Sequence, residues 1–109
     1  MPQPVKTISV EELKKMMDEK ADFQLIDVRE RSEKEFADIG GTLIPMGSVL
    51  GRVNEIEKDK PVIIYCRSGN RSGRVIAALQ EKFGFTNLYN LAGGILAWSD
   101  KIDPSVRKY

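Results

Sequence analysis

The segment Val62-Ile63-Ile64-Tyr65 is apolar at every position, with no polar residue alternating along it. A strand that buries one face alternates, so an unbroken run is predicted to be covered on both faces, as in the centre of a parallel sheet. Parallel strands need long crossovers, usually helical, and the rest of the chain supplies them. Ser9-Val10-Glu11-Glu12 reads as a capping box opening a helix with Val10, Leu13 and Met17 on one face, ended by Ala21-Asp22. Phe23-Gln24-Leu25-Ile26 reads as a buried strand stopping at Asp27, and Ser32-Glu33-Lys34-Glu35 as a second capping box. Leu43-Ile44 is a brief strand, and Ser48 is placed to cap a helix turning Val49, Leu50, Val53 and Ile56 inward. Val75, Ile76, Leu79 and Phe83 mark a further helix stopped at Gly84, Asn87 to Leu91 alternates like a strand, and Gly93-Gly94 turns into a last helix near Trp98. The expected fold class is α/β, a mostly parallel five-stranded sheet with about five helices on both faces. Tyr65 and Trp98 lie in apolar runs and are expected in the core.

A chain of 109 residues, 41% hydrophobic and 30% charged, has the size and balance of one globular domain. Seventeen basic and sixteen acidic residues leave a net charge of +1, so no global field attracts nucleic acid or an anionic membrane. The longest apolar run, Val62 to Cys66, falls far short of the ~20 residues that span a bilayer. Met1-Pro2-Gln3-Pro4-Val5-Lys6 lacks the features of a secretory signal, which makes a cytoplasmic location the expectation. Histidine is absent and Cys66 is the single cysteine, so there is no internal disulfide, no Cys-x-x-Cys pair and no histidine-assisted nucleophile.

Cys66 stands where the most apolar strand ends, and open parallel sheets place their ligand sites at those carboxyl ends. The loop Cys66-Arg67-Ser68-Gly69-Asn70-Arg71-Ser72 holds short or flexible residues that can curl and aim backbone N–H groups at an anion. The following helix adds its positive dipole end, and Arg67, Arg71 and Arg74 are expected to add full charges. These conditions lower a thiol from its free value near ~8.5 and favour the thiolate. A cysteine that merely packs as a small hydrophobe needs no such loop behind it. Asp27 and Arg29 end a neighbouring strand and are expected on the same rim, either as an ordinary ion pair or in support of the site.

The loop from Cys66 to Ser72 resembles the active-site loop of the rhodanese-like sulfurtransferases. Leu25 to Glu30, Glu35-Phe36, Ile44-Pro45, Val62 to Tyr65, Gly84-Phe85 and Leu91 to Ile95 with Trp98 follow in the family's order, over about residues 5 to 102 of a single domain 1–109. The resemblance implies a catalytic Cys66 that carries sulfane sulfur as a persulfide. It also implies that Arg67, Ser68, Gly69, Asn70, Arg71 and Ser72 bind the substrate anion and persulfide, with Asp27 holding an active-site arginine in place. Thiosulfate or a persulfide would be the small anionic donor, and cyanide, a thiol or a sulfur carrier the acceptor. No metal or organic cofactor is implied. Asp38 to Pro45 lacks the Gly-His-Ile that many rhodanese domains carry before their Ile-Pro. That departure, with the stretch Ala97 to Pro104 and the Lys108-Tyr109 end, resembles the rhodanese domains attached to E1-like adenylyltransferases of the thiamine and molybdenum cofactor pathways. A sulfur-carrier protein or an adenylyltransferase is therefore the implied partner.

Two other functions stand beside this one. A sulfur-relay or recognition module would use the same cysteine only when docked on a partner. A cysteine phosphatase or arsenate reductase is disfavoured, because Cys66 and Arg71 enclose four residues where a phosphate cradle of that type has five, and Ser72 stands in place of arginine.

Overall fold

A computed structural model describes residues 4–109. Met1, Pro2 and Gln3, which begin the segment read for a secretory signal, lie outside the described residues. The strands are β1 (Thr7–Ile8), β2 (Gln24–Asp27), β3 (Thr42–Leu43), β4 (Val62–Tyr65) and β5 (Leu88–Leu91). They form one sheet in the order β1-β5-β4-β2-β3, and every pairing is parallel. The unbroken apolar strand is β4, central and fully buried, flanked by β2 and β5.

Successive side chains of a strand point to opposite faces, and β4 shows it: Ile63 and Tyr65 belong to one core cluster, Val62 and Ile64 to the other. On the first face α1 (Val10–Asp18) contributes Val10 and Leu13, and α4 (Gly94–Lys101) contributes Ile95 and Trp98. On the second face α3 (Asn70–Phe83) contributes Val75, Ile76 and Leu79, joined by Val49 and Ile56. Tyr65 and Trp98 are core residues, as expected. The Ser9–Glu12 capping box opens α1 with both bonds at 3.0 Å. Gly84 ends α3 in the left-handed conformation at φ 71°.

Four details differ from the sequence reading. The helix α2 (Arg31–Phe36) starts before Ser32, with Glu30 at its cap, because Glu33 accepts the Glu30 backbone N–H at 3.0 Å. The segment after Pro45 is a 3-10 helix, Met46–Glu55, kinked at Arg52, and Ser48 lies inside it rather than at its cap. Its tighter turn rotates Leu50 outward, leaving it 45% exposed. Phe83 ends α3 at 46% exposure, beyond the last turn that packs on the sheet. No helix among the described residues is long and apolar enough to cross a membrane.

Candidate active site

Cys66 follows β4 directly and is 1% exposed. The chain then curls through Gly69, whose φ of 106° is a conformation that a residue with a Cβ rarely adopts, and enters α3 at Asn70. The curl turns the start of α3 onto the sulfur. Gly69 N–H donates to Cys66 Sγ at 3.1 Å, Ser72 N–H at 3.5 Å, and the Ser72 hydroxyl lies at 3.4 Å. Burial pushes the thiol up, but hydrogen bonds from the Ser72 hydroxyl and the backbone N–H groups of Ser72, Gly69 and Ser68 outweigh it. The net shift is downward from the ordinary thiol value.

The loop is held from two further sides. Asn90, on β5, donates from Nδ2 to the Gly69 carbonyl at 3.0 Å and accepts from the Ser72 hydroxyl at Oδ1 at 2.6 Å. The one hydroxyl hydrogen of Ser72 thus has two acceptors, Asn90 Oδ1 and Cys66 Sγ. From behind, the first turn of α4 holds the loop's carbonyls: Ile95 N–H donates to Cys66 O at 3.0 Å and Leu96 N–H to Arg67 O at 3.1 Å. This approach requires Gly94, where a Cβ would stand 2.5 Å from the Arg67 carbonyl oxygen.

The loop arginines are engaged elsewhere. Arg71 meets Glu33 with two parallel bonds, Nη1 to Oε1 at 2.7 Å and Nη2 to Oε2 at 2.8 Å. Arg67 donates from Nε to the Tyr109 main-chain oxygen, and its guanidinium lies 5.3 Å from the Tyr109 ring centroid. Arg71 interacts with Cys66 through its charge, as expected, but no guanidinium hydrogen bond is among the contacts that lower the Cys66 thiol, and the thiol's direct donors are neutral. The reason is spatial. Glu33 projects from α2 toward Arg71 and captures the fork before it can turn to the sulfur. These bonds push the Arg71 guanidinium up, while Cys66 adds only a weaker charge effect. They also hold Glu33 far below the usual carboxylate range, at about 2, against the opposing effect of burial.

Asp27 and Arg29 form a pair with both side chains fully buried. Asp27 Oδ1 accepts Arg29 N and Nε, each at 2.9 Å, and Oδ2 accepts Nη2 at 2.8 Å. The arginine that Asp27 holds is therefore Arg29, not Arg67 or Arg71. Arg29 Nη1 donates to the Tyr109 hydroxyl at 3.0 Å, and that hydroxyl donates to Glu33 Oε2 at 2.8 Å. A chain of contacts thus runs from Asp27 to Arg71. The Tyr65 hydroxyl donates toward Gly40 O at 2.8 Å, with Asp27 Oδ2 at 3.2 Å, and burial raises its pKa.

Asn90, Glu33 and Tyr109 were not identified from sequence as parts of this site. Asn90 carried a readable signal, since a polar residue interrupts the buried parity of Leu88 at the carboxyl end of a strand beside β4. Glu33 read as an interior position of the Ser32–Glu35 capping box and Tyr109 as part of a tail, and neither pattern named a partner. Asn70 begins α3 and is exposed, and Arg74 borders a surface hollow with Met46 and Leu50. Among the described residues no cluster of three metal-ligating side chains occurs.

A family model described as the rhodanese-like domain matches residues 9–101. YqhL of Bacillus subtilis, named only as an uncharacterized protein, is 48% identical over 80 residues, which cover 72% of this chain and 63% of that protein. A sulfurtransferase of Allochromatium vinosum is 38% identical over 96 residues, covering 87% of this chain and 89% of the relative. The adenylyltransferase and sulfurtransferase UBA4 of Candida glabrata is 36% identical over 76 residues, 70% of this chain and 17% of the larger protein. The chain thus spans less than two thirds of YqhL and a small part of UBA4. A rhodanese-like domain protein from Staphylococcus aureus has the same fold, with a TM-score of 0.80 at 29% identity, covering 96% of this chain and 99% of that one.

Proposed function

This chain belongs to the rhodanese-like domain family, and from that membership and the cradle around Cys66 we propose that it transfers sulfane sulfur through a persulfide on Cys66. The observation that carries the reading is the convergence of Gly69 N–H, Ser72 N–H and the Ser72 hydroxyl on one sulfur atom at the start of a helix. That arrangement stabilises a thiolate and, after loading, the negative charge of a terminal persulfide sulfur.

In the first step the Cys66 thiolate attacks the outer sulfur of the donor. With thiosulfate, a bond forms between Cys66 Sγ and that sulfur, the donor's S–S bond breaks, and sulfite leaves with the electron pair. Cys66 then carries –S–S⁻. In the second step an acceptor attacks the terminal sulfur: cyanide gives thiocyanate, a thiolate gives a new persulfide, and the Cys66 thiolate returns. Loop backbone groups from Arg67 to Ser72 follow the charge through both steps. A sulfur-carrier protein, alone or with an adenylyltransferase, is the macromolecular acceptor this reading favours, from the resemblance to adenylyltransferase-linked rhodanese domains.

Whole-protein mass spectrometry after incubation with thiosulfate tests the proposal. The wild-type chain should gain one sulfur atom, lost again on cyanide or dithiothreitol, and Cys66→Ser should gain none. A chain that takes sulfur only when a partner is added would favour the relay reading. An aryl phosphatase activity that disappears in Cys66→Ser would replace sulfur transfer with phosphoryl chemistry.

A further inference from the structure

The Cys66 cradle is neutral, and the cation beside it is already matched by an anion. Arg71 presents a guanidinium fork, the geometry that holds two oxygens of an oxyanion, yet both arms are taken by Glu33 at 2.7 and 2.8 Å. Glu33 is itself fixed by the Glu30 backbone N–H at 3.0 Å and the Tyr109 hydroxyl at 2.8 Å. The Tyr109 oxygen accepts from Arg29, which is anchored on buried Asp27. A donor that needs Arg71 therefore meets a cation whose charge is already matched by a carboxylate held by four hydrogens.

Donors differ in that need. Thiosulfate carries two negative charges and releases sulfite, also doubly charged, so its transfer gains most from a free guanidinium. An alkyl persulfide carries its sulfane sulfur on an uncharged carbon chain. Attack by the Cys66 thiolate on the outer sulfur of R–S–SH forms Cys66–S–SH and releases R–S⁻, with one negative charge on each side of the reaction. The neutral cradle suffices for that step.

We propose that Glu33, by occupying Arg71, is a specificity-determining residue that tunes the site toward alkyl persulfide donors and against small multiply charged sulfur anions. The inference rests on the Cys66 persulfide reading and adds the donor class to it. Glu33 acts through Arg71 and is a positioning residue rather than a catalytic one.

The test compares the purified full chain with Glu33→Gln on donors graded by charge: thiosulfate, methanethiosulfonate and 2-hydroxyethyl persulfide. Single-turnover sulfur loading of Cys66 is followed by whole-protein mass, with melting temperatures recorded in parallel. Glu33→Gln should raise loading from thiosulfate about tenfold, the worth of freeing one charge-assisted contact. Methanethiosulfonate should gain less, and 2-hydroxyethyl persulfide, attacked as R–S–SH with no charge on its carbon chain, should stay within about twofold. Adding Arg71→Met should cancel the thiosulfate gain. This order by donor charge is a signature that simple loss of structure would not produce. Thiosulfate loading that stays level or falls in Glu33→Gln, whether or not the other donors follow, overturns the inference. Wild-type protein that takes sulfur from none of the three donors would instead refute the persulfide reading itself.

Discussion

Two polar assemblies share the carboxyl rim of the sheet and are built on opposite principles. Around Cys66 the direct partners of the sulfur are neutral: backbone N–H groups of the loop and the Ser72 hydroxyl. On the same rim, Asp27, Arg29, Glu33 and Arg71 carry full charges, and each carboxylate is matched by a guanidinium. The first assembly leaves its donors aimed at an atom whose charge changes during reaction. The second spends its charges on itself. The hydrogen bonds to the sulfur thus come from oriented dipoles, and the ionic cluster adds the weaker charge interaction of Arg71 with Cys66.

The sharpest break in that contrast is Cys66→Ser, which should abolish sulfur loading while leaving the melting temperature within a few degrees, because serine preserves the size of the side chain. Loading by this variant would move the chemistry away from the cradle. Next in size is Asp27→Ala, which strands the Arg29 guanidinium without its carboxylate at 0% exposure. Removal of one member of a buried pair costs ~3–5 kcal/mol, so chemical denaturation should show a loss of that order. Asp27→Ala with Arg29→Met should recover part of it. An equally unstable double variant would mean that the site needs the charges themselves.

Ser72→Ala removes one donor from the sulfur and should move the midpoint of iodoacetamide alkylation to higher pH, since that hydroxyl helps hold the thiol below its ordinary value. An unchanged midpoint would show that the hydroxyl hydrogen stays with Asn90. The smallest effect is expected from acid. Glu33 is held at about 2, below the usual carboxylate range, so its contribution to stability is complete above its unfolded value and lost as pH falls toward 2. Melting temperatures of wild type and Glu33→Gln should therefore converge through that interval. A constant gap would separate Glu33's structural role from its charge.

The parts of the molecule that were legible in the sequence are those fixed by neighbours along the chain. The missing alternation in Val62–Tyr65 identified the central strand, and the residues from Cys66 to Ser72 identified the curl, since turn chemistry is local. The strand β1 was counted but not located, because Thr7–Ile8 is too short to show a period. The start of α2 was misread where Glu30-Arg31-Ser32-Glu33 and Ser32-Glu33-Lys34-Glu35 offer overlapping caps. Arg71 was read as an anion holder, but its partner lies 38 positions away, and Tyr109 reaches Glu33 across 76. Such pairings follow from strand order, which periodicity does not reveal.

The grip of α4 on the Cys66 and Arg67 carbonyls has a consequence for how the protein is made. Synthesis is vectorial, so Cys66 leaves the ribosome well before Gly93 to Leu96. Until those residues arrive, the loop's carbonyls lack the N–H partners that orient the peptide planes, and Asn90 on β5 arrives only shortly earlier. The nascent chain therefore carries Cys66 together with Gly69 and Ser72 before the partners that fix their loop, and the full ordering of those donors on the sulfur waits for β5 and α4.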